Sequence, residues 1–304
     1  MKRILLSVFA IALVVGSVVG ATTAFFSDEE TSTGNILAAG ALDLKVDNTC
    51  YYNGRTCVLN ESTEDPTDRV WEGTDEPCFC TWELKDLAEG DVFFALRDLK
   101  PGDYEEDTIS LHVDNDSWAC VDINTTENSD NGITEPEDEV DSLPGDGSDG
   151  TPDGDLAQEL NFIFWRDDGD NILEREEEVL TSGPASNVLN DVRWALADSE
   201  TGQPLIGGEE EVQYIGKAFC FGTLTEAPLT PGDYPDGPAG DNNANQTPGE
   251  PEDGGFNCDG TEVGNISQTD LLMGDIVFEA VQARHNDDFL CNLTPTSTPT
   301  PLPL

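Results

Sequence analysis

The sequence predicts an all-β protein, and three observations carry that prediction. Short alternations of apolar and polar residues recur at 42–46, 109–113, 119–123 and 274–282, with turn residues between them. Eight cysteines, Cys50, Cys57, Cys78, Cys80, Cys120, Cys220, Cys258 and Cys291, all follow an N-terminal apolar run. Glycine (29) and proline (18) are numerous, so long parts of the chain read as loop.

The chain starts with Lys2 and Arg3, an apolar run over residues 4–19, and the small-residue exit Ala21-Thr22-Thr23-Ala24. These are the parts of a secretory signal peptide cut after Ala24. The run falls short of the ~20 apolar residues that span a bilayer. Signal peptidase is therefore an expected partner, and no integral membrane segment is expected after cleavage. Phe25 and Phe26 would open the mature chain, followed by a polar stretch, then Ile36-Leu37-Ala38-Ala39-Gly40 and the strand Leu42-Asp43-Leu44-Lys45-Val46.

Residues 47–81 read as an irregular, cysteine-rich surface insertion. Val92-Phe93-Phe94-Ala95-Leu96 reads as a short buried strand. Pro101-Gly102 makes a turn. Ile109, Leu111 and Val113 then alternate with Ser110 and His112, a half-buried strand, and Ala119 to Ile123 alternates again after a turn at 114–117. Residues 124–155 hold eleven acidic residues, no Lys or Arg, and prolines at 136, 144 and 152, so they read as an exposed, mobile loop with too little apolar surface to order. Residues 226–255 are similar. Between these insertions lie an apolar run at 160–165 and a strand within 212–221, and a long strand at 274–282 comes last. Thr and Pro dominate 293–304, the composition of an extended stalk.

An even number of cysteines in an exported chain reads as disulfides. Cys78 and Cys80 stand too close to bridge each other comfortably, so each reaches elsewhere. A zinc site would need a second tight Cys/His pair, and Cys78-Phe79-Cys80 has none nearby. The net charge of −50 argues against nucleic acid or anionic lipid as a partner, and three compatible readings account for it: solubility of an exported chain, Ca²⁺ binding, or a salty habitat.

Three pieces, in this order, resemble the TasA/camelysin family, whose members carry SipW-type signal peptides. They are the leader exit with "AFFSDEETSTGN", "AAG" and "LDLKV"; the "PGD" turn before "ISLHVDNDSWACVDI"; and the Asn/Gln turn before "FEAVQ" near the C-terminus. The resemblance implies an exported, jelly-roll-like antiparallel β-sandwich, here with long acidic, disulfide-stapled loop insertions. In filament-forming members the segment after the cleavage site is donated as a strand to the neighbouring subunit. It also implies a metallo-endopeptidase alternative, because camelysin is classed as one.

Chemistry in the residues themselves is sparse. Asp167-Asp168-Gly169-Asp170-Asn171, with Glu174 beyond, is a candidate Ca²⁺ loop: several oxygen ligands around a glycine bend. Its register is not that of an EF-hand, and a plain polar turn after a buried strand is the competing reading. His112 and His285 are the only histidines; neither belongs to an H-E-x-x-H motif, and no G-x-S-x-G elbow occurs. No catalytic residue is assigned.

The expected organisation is a signal peptide (1–24), a donor segment (25–40), one sandwich domain (41–292) interrupted at 47–81, 124–155 and 226–255, and a tail (293–304). The expected role is a structural subunit of extracellular matrix filaments or a cell-surface layer, self-associating through the donor segment with Phe25, Phe26, Ile36 and Leu37 as anchors. The alternatives are a monomeric secreted Ca²⁺-dependent binding module and a camelysin-like metallo-endopeptidase.

Overall fold

The computed structural model describes the backbone of residues 28–32 and 35–39, and residues 43–63, 65, 67–88, 91–132, 134–140, 154–208, 211–231 and 254–291 in full. Among the described residues fifteen strands and three single helical turns follow one another: β1 (Asp28–Ser32), β2 (Asn35–Ala39), β3 (Leu44–Tyr52), β4 (Arg55–Leu59), β5 (Arg69–Trp71), β6 (Trp82–Lys85), β7 (Tyr104–Val113), β8 (Ser117–Ser129), α1 (Glu135–Asp138), α2 (Leu156–Glu159), β9 (Leu160–Asp167), β10 (Val179–Pro184), α3 (Ala185–Val188), β11 (Val192–Ala197), β12 (Gln213–Phe221), β13 (Thr223–Glu226), β14 (Phe256–Asp259) and β15 (Leu271–Gln282). Ala24, Phe25, Phe26 and the 293–304 tail lie outside the described residues.

Two sheets make a sandwich. The larger runs β10-β9-β12-β7-β3-β4-β5, with β6 also on β3; the smaller runs β1-β2-β15-β8-β11; β13 and β14 form a separate ribbon. Pairing is antiparallel throughout these strands except between β2 and β15.

Strand alternation builds the core. Leu44 and Val46 on β3 and Ile109, Leu111 and Val113 on β7 share one apolar cluster with Ala119, Val121 and Ile123 on β8 and Ile276, Phe278 and Ala280 on β15. Burying each such Val, Ile or Phe side chain contributes about 1.5–3 kcal/mol. The run at 160–165 is apolar on both faces because it faces two cores. Phe162 and Phe164 join the inter-sheet cluster, whereas Ile163 and Trp165 join Leu173, Ala218 and Phe256 on the other side. Gly216, paired with Trp165, is a condition of that packing: a Cβ there would fall 2.0 Å from the indole ring.

Three sequence expectations need correction. The stretch 47–81 is not a loop throughout. β3 continues through Tyr52 between β7 and β4, because polar Asn48 is buried with its side-chain amide donating to Cys80 O at 2.6 Å. β4 and β5 follow within the stretch. The stretch 124–155 begins as ladder, not mobile loop: β8 runs to Ser129, registered on β15. Residues 92–96 form no strand. Phe93 instead inserts as a plug, edge-on to Trp82 (5.1 Å) and Phe278 (5.8 Å), while its carbonyl accepts from Lys217.

The cysteines pair as Cys50–Cys80, Cys57–Cys78, Cys120–Cys291 and Cys220–Cys258. The first two bridges surround Trp71 and make a small second core at the β3–β6 end. Cys120–Cys291 closes a sequence separation of 171, which by loop entropy is worth about 5 kcal/mol.

Candidate functional site

β9 ends on Asp167, and the chain leaves the sheet as a loop that returns at β10. Asp167 is buried, and its carboxylate turns back into the loop. Oδ2 accepts from the backbone N–H of Gly169 (3.0 Å) and Asn171 (3.2 Å), and Oδ1 from the Trp165 indole (3.3 Å). Asp170 accepts from Ile172 N–H (3.0 Å). Glu177 closes the far side, accepting from Asp168 N–H (3.0 Å) and Glu174 N–H (2.9 Å). Gly169 makes the bend at φ 109°, where a Cβ would lie 2.9 Å from the Tyr214 ring.

Asp167, Asp168 and Glu177 each bring a carboxylate oxygen within 4.8 Å of the others. Burial pushes the Asp167 carboxyl up to about 6, with the Asp170 charge adding to it. Burial pushes Glu177 up to about 8, helped by the charges of Asp167, Glu174 and Asp170. Asn171, at φ 64° and 2% exposed, has no hydrogen-bond partner for either side-chain atom. Of the five residues the sequence singles out, Asp167 and Asp168 thus converge directly, and Asp170 and Glu174 act electrostatically on the same group. Glu177 was not singled out. Its only signal, position in the run Glu176-Glu177-Glu178, is drowned in a chain with 63 acidic residues.

A second acidic group, Asp130, Glu137 and Asp270, ties together the described parts of the 124–155 segment. Asp270 accepts from Asp155 N–H (2.6 Å) and Leu156 N–H (2.9 Å), and Glu137 accepts from Thr134 N–H (3.0 Å). Its carboxylates serve as caps and ties.

At the opposite edge of the smaller sheet, β1 and β2 form a hairpin, and β2 lies parallel on β15 with Ile36 registered on Val277 and Leu37 on Phe278. Among the pairings of the described residues, β15 is the only strand that joins this hairpin to the sandwich. His112 sits on β7 with its Nε2 3.2 Å from Ser110 Oγ and 3.7 Å from Asp47. His285 occupies a left-handed turn after β15. Neither histidine belongs to any metal-sized group of His, Cys, Asp and Glu among the described residues.

Fold and cysteines together define a disulfide-stapled β-sandwich suited to an oxidising compartment. No helix among the described residues is long and apolar enough to cross a membrane. The camelysin metallo-endopeptidase family model matches residues 1–58, so from the N-terminal apolar run through the hairpin, β3 and most of β4 the chain is similar to that family. The acidic loop and both histidines lie beyond the match. No curated protein matches the chain.

Proposed function

We propose that the chain is an exported structural subunit that polymerises outside the cell by donating its N-terminal segment, residues 25–40, to the sheet edge of a neighbour. The observation that carries this reading is the parallel β2–β15 pairing. β2 is the outlier in an antiparallel fold and is tied to the sandwich through one strand, so its place on β15 can be taken by the same segment of another copy. Main-chain hydrogen bonds along β15 would supply the joint. Such a head-to-tail contact does not close and propagates as a fibre. Signal peptidase would release the segment by cutting after Ala24, and the product would belong to extracellular matrix or cell surface. Ca²⁺ would enter as a stiffener of the 167–177 loop, where the crowded carboxylates and the unsatisfied Asn171 favour a cation.

Negative-stain electron microscopy tests this, comparing a chain starting at Phe25 with one starting at Ala41. Filaments from the first and none from the second are expected. Monodisperse particles from both, at high concentration and with Ca²⁺, would sink the reading. The rival drawn from the family description, a metallo-endopeptidase, predicts chelator-sensitive cleavage of casein that is lost in His112→Ala or His285→Ala.

A further inference from the structure

Lys217 on β12 stands directly opposite Asp107 on β7, and Glu105 lies two residues back on the same face. All three side chains are completely buried on the inner side of the larger sheet, between the inter-sheet core and the disulfide core. Lys217 Nζ contacts Asp107 Oδ2, donates to Glu105 Oε2 (2.9 Å) and Phe93 O (3.2 Å), and lies 5.1 Å from the centre of the Phe94 ring. Asn48 Nδ2 donates to Asp107 Oδ1 at 3.2 Å, so the two oxygens of Asp107 face an amide donor on one side and an amine on the other.

An ordinary buried ion pair accounts poorly for this arrangement. Buried charges stabilise only when their remaining lone pairs are satisfied. Here Glu105 Oε1 and Asn48 Oδ1 accept no hydrogen bond. Lys217 Nζ is packed directly against the Asp107 carboxyl group from the facing position of the neighbouring strand, the proximity that a condensation between the two requires. A metal reading also fails. Cys80 is within reach of both carboxylates, but its sulfur is bonded to Cys50, and the lysine already occupies the centre.

We propose that Lys217 and Asp107 condense into an intramolecular isopeptide bond, with Glu105 as the proton shuttle and Asn48 holding the developing carbonyl oxygen. The site supplies each part. Two carboxyls face one ammonium in a dry interior, and burial raises both carboxyls, so Glu105 keeps a proton while the ammonium stays beside Asp107. A single proton transfer from Nζ to Asp107 gives a neutral amine beside a neutral acid. Nζ attacks Cγ, protonated Glu105 gives its proton to the departing hydroxyl, and the proton shed by nitrogen returns to Glu105. One C–N bond forms, one C–O bond breaks, one water leaves, and no oxidant or co-reactant is needed. The product is a covalent rung between β7 and β12 in the middle of the larger sheet. It forms within one subunit and does not depend on the fibre reading.

Intact mass spectrometry of the chain produced from Phe25, reduced and denatured, decides the question. The expected mass is lower than the sequence mass by one water, and proteolysis should release a branched peptide joining Lys217 to Asp107. Glu105→Gln and Lys217→Arg should each restore the full sequence mass. A wild-type chain of full mass, with Lys217 open to acetylation after denaturation, overturns the proposal whether or not the variants fold. A branch at Glu105, or a missing water with no branched peptide, overturns the assignment as well.

Discussion

Two carboxylate clusters in this molecule are built from the same residue types and differ in where their positive charge comes from. On the inner face of the larger sheet, Glu105 and Asp107 close on Lys217, a basic side chain supplied by the chain itself. At the end of β9, Asp167, Asp168 and Glu177 converge with no basic side chain among the causes that set the ionisation of Asp167 and Glu177. The first cluster is sealed around a basic side chain, and the second is half open and receives backbone N–H groups and the Trp165 indole N–H. Burial alone therefore does not make a ligand site. A site open to cations is one where the fold has gathered negative charge and left out its partner.

The comparison breaks most sharply if the internal cation is removed. Lys217→Met should destabilise the fold by at least about 3–5 kcal/mol, because it strands two carboxyls in a dry interior. Urea unfolding of the disulfide-intact chain measures it, and a loss under ~1 kcal/mol would mean that Lys217 is not the compensating charge. A cation supplied from outside should act next. Ca²⁺ at a hundred times its dissociation constant should raise stability by about 2.7 kcal/mol, reversibly with chelator. An unchanged melting temperature at millimolar Ca²⁺ would remove the ion from the 167–177 loop.

What the sequence could reveal about these clusters follows from the range of the signals. Ile109, Leu111 and Val113 show their burial locally, by alternation. Glu105 and Asp107 continue the same inward register, yet their charge reads as solvent because the compensating Lys217 comes from a strand remote in sequence. Asn48 hides the continuation of β3 for the same reason: its burial depends on Cys80 O and Asp107, not on its neighbours. Val92 to Leu96 misleads in the other direction. Of its apolar run Phe93 alone is fully buried, as a plug whose backbone serves Lys217 in place of a neighbouring strand. In the acidic loop Asp167 and Asp168 are legible from the turn, while Glu177 depends on how the chain returns to β10.

The pH dependence should separate the clusters further. Glu177 carries a folded value of about 8 against an ordinary 4.5, and Asp167 about 6 against 3.8. An acid raised on folding binds more protons in the folded chain, so its stabilising contribution is present at low pH and is lost as pH climbs through the folded value. Stability without Ca²⁺ should fall from about pH 5 to pH 8, and saturating Ca²⁺ should flatten that fall by favouring the ionised forms. Melting curves across this range, with Ca²⁺ and with chelator, supply the test. A slope indifferent to Ca²⁺ would assign the titration to the sealed cluster at Glu105, which no added ion reaches.

The smallest expected effect is the most discriminating, because its sign depends on the ion. Asp168 is exposed, and its carboxylate stands within 4.8 Å of two others. In Asp168→Asn the backbone N–H that donates to Glu177 is unaltered, so the loop geometry should survive. Without Ca²⁺ the substitution removes like-charge repulsion and should raise stability by less than ~1 kcal/mol, the scale of surface charge interactions. With Ca²⁺ it removes a ligand charge and should shrink the stabilisation the ion confers. A purely structural turn would respond alike in both conditions. Opposite signs, measured as paired melting shifts of wild type and variant with and without Ca²⁺, would mark a loop whose missing partner is a cation.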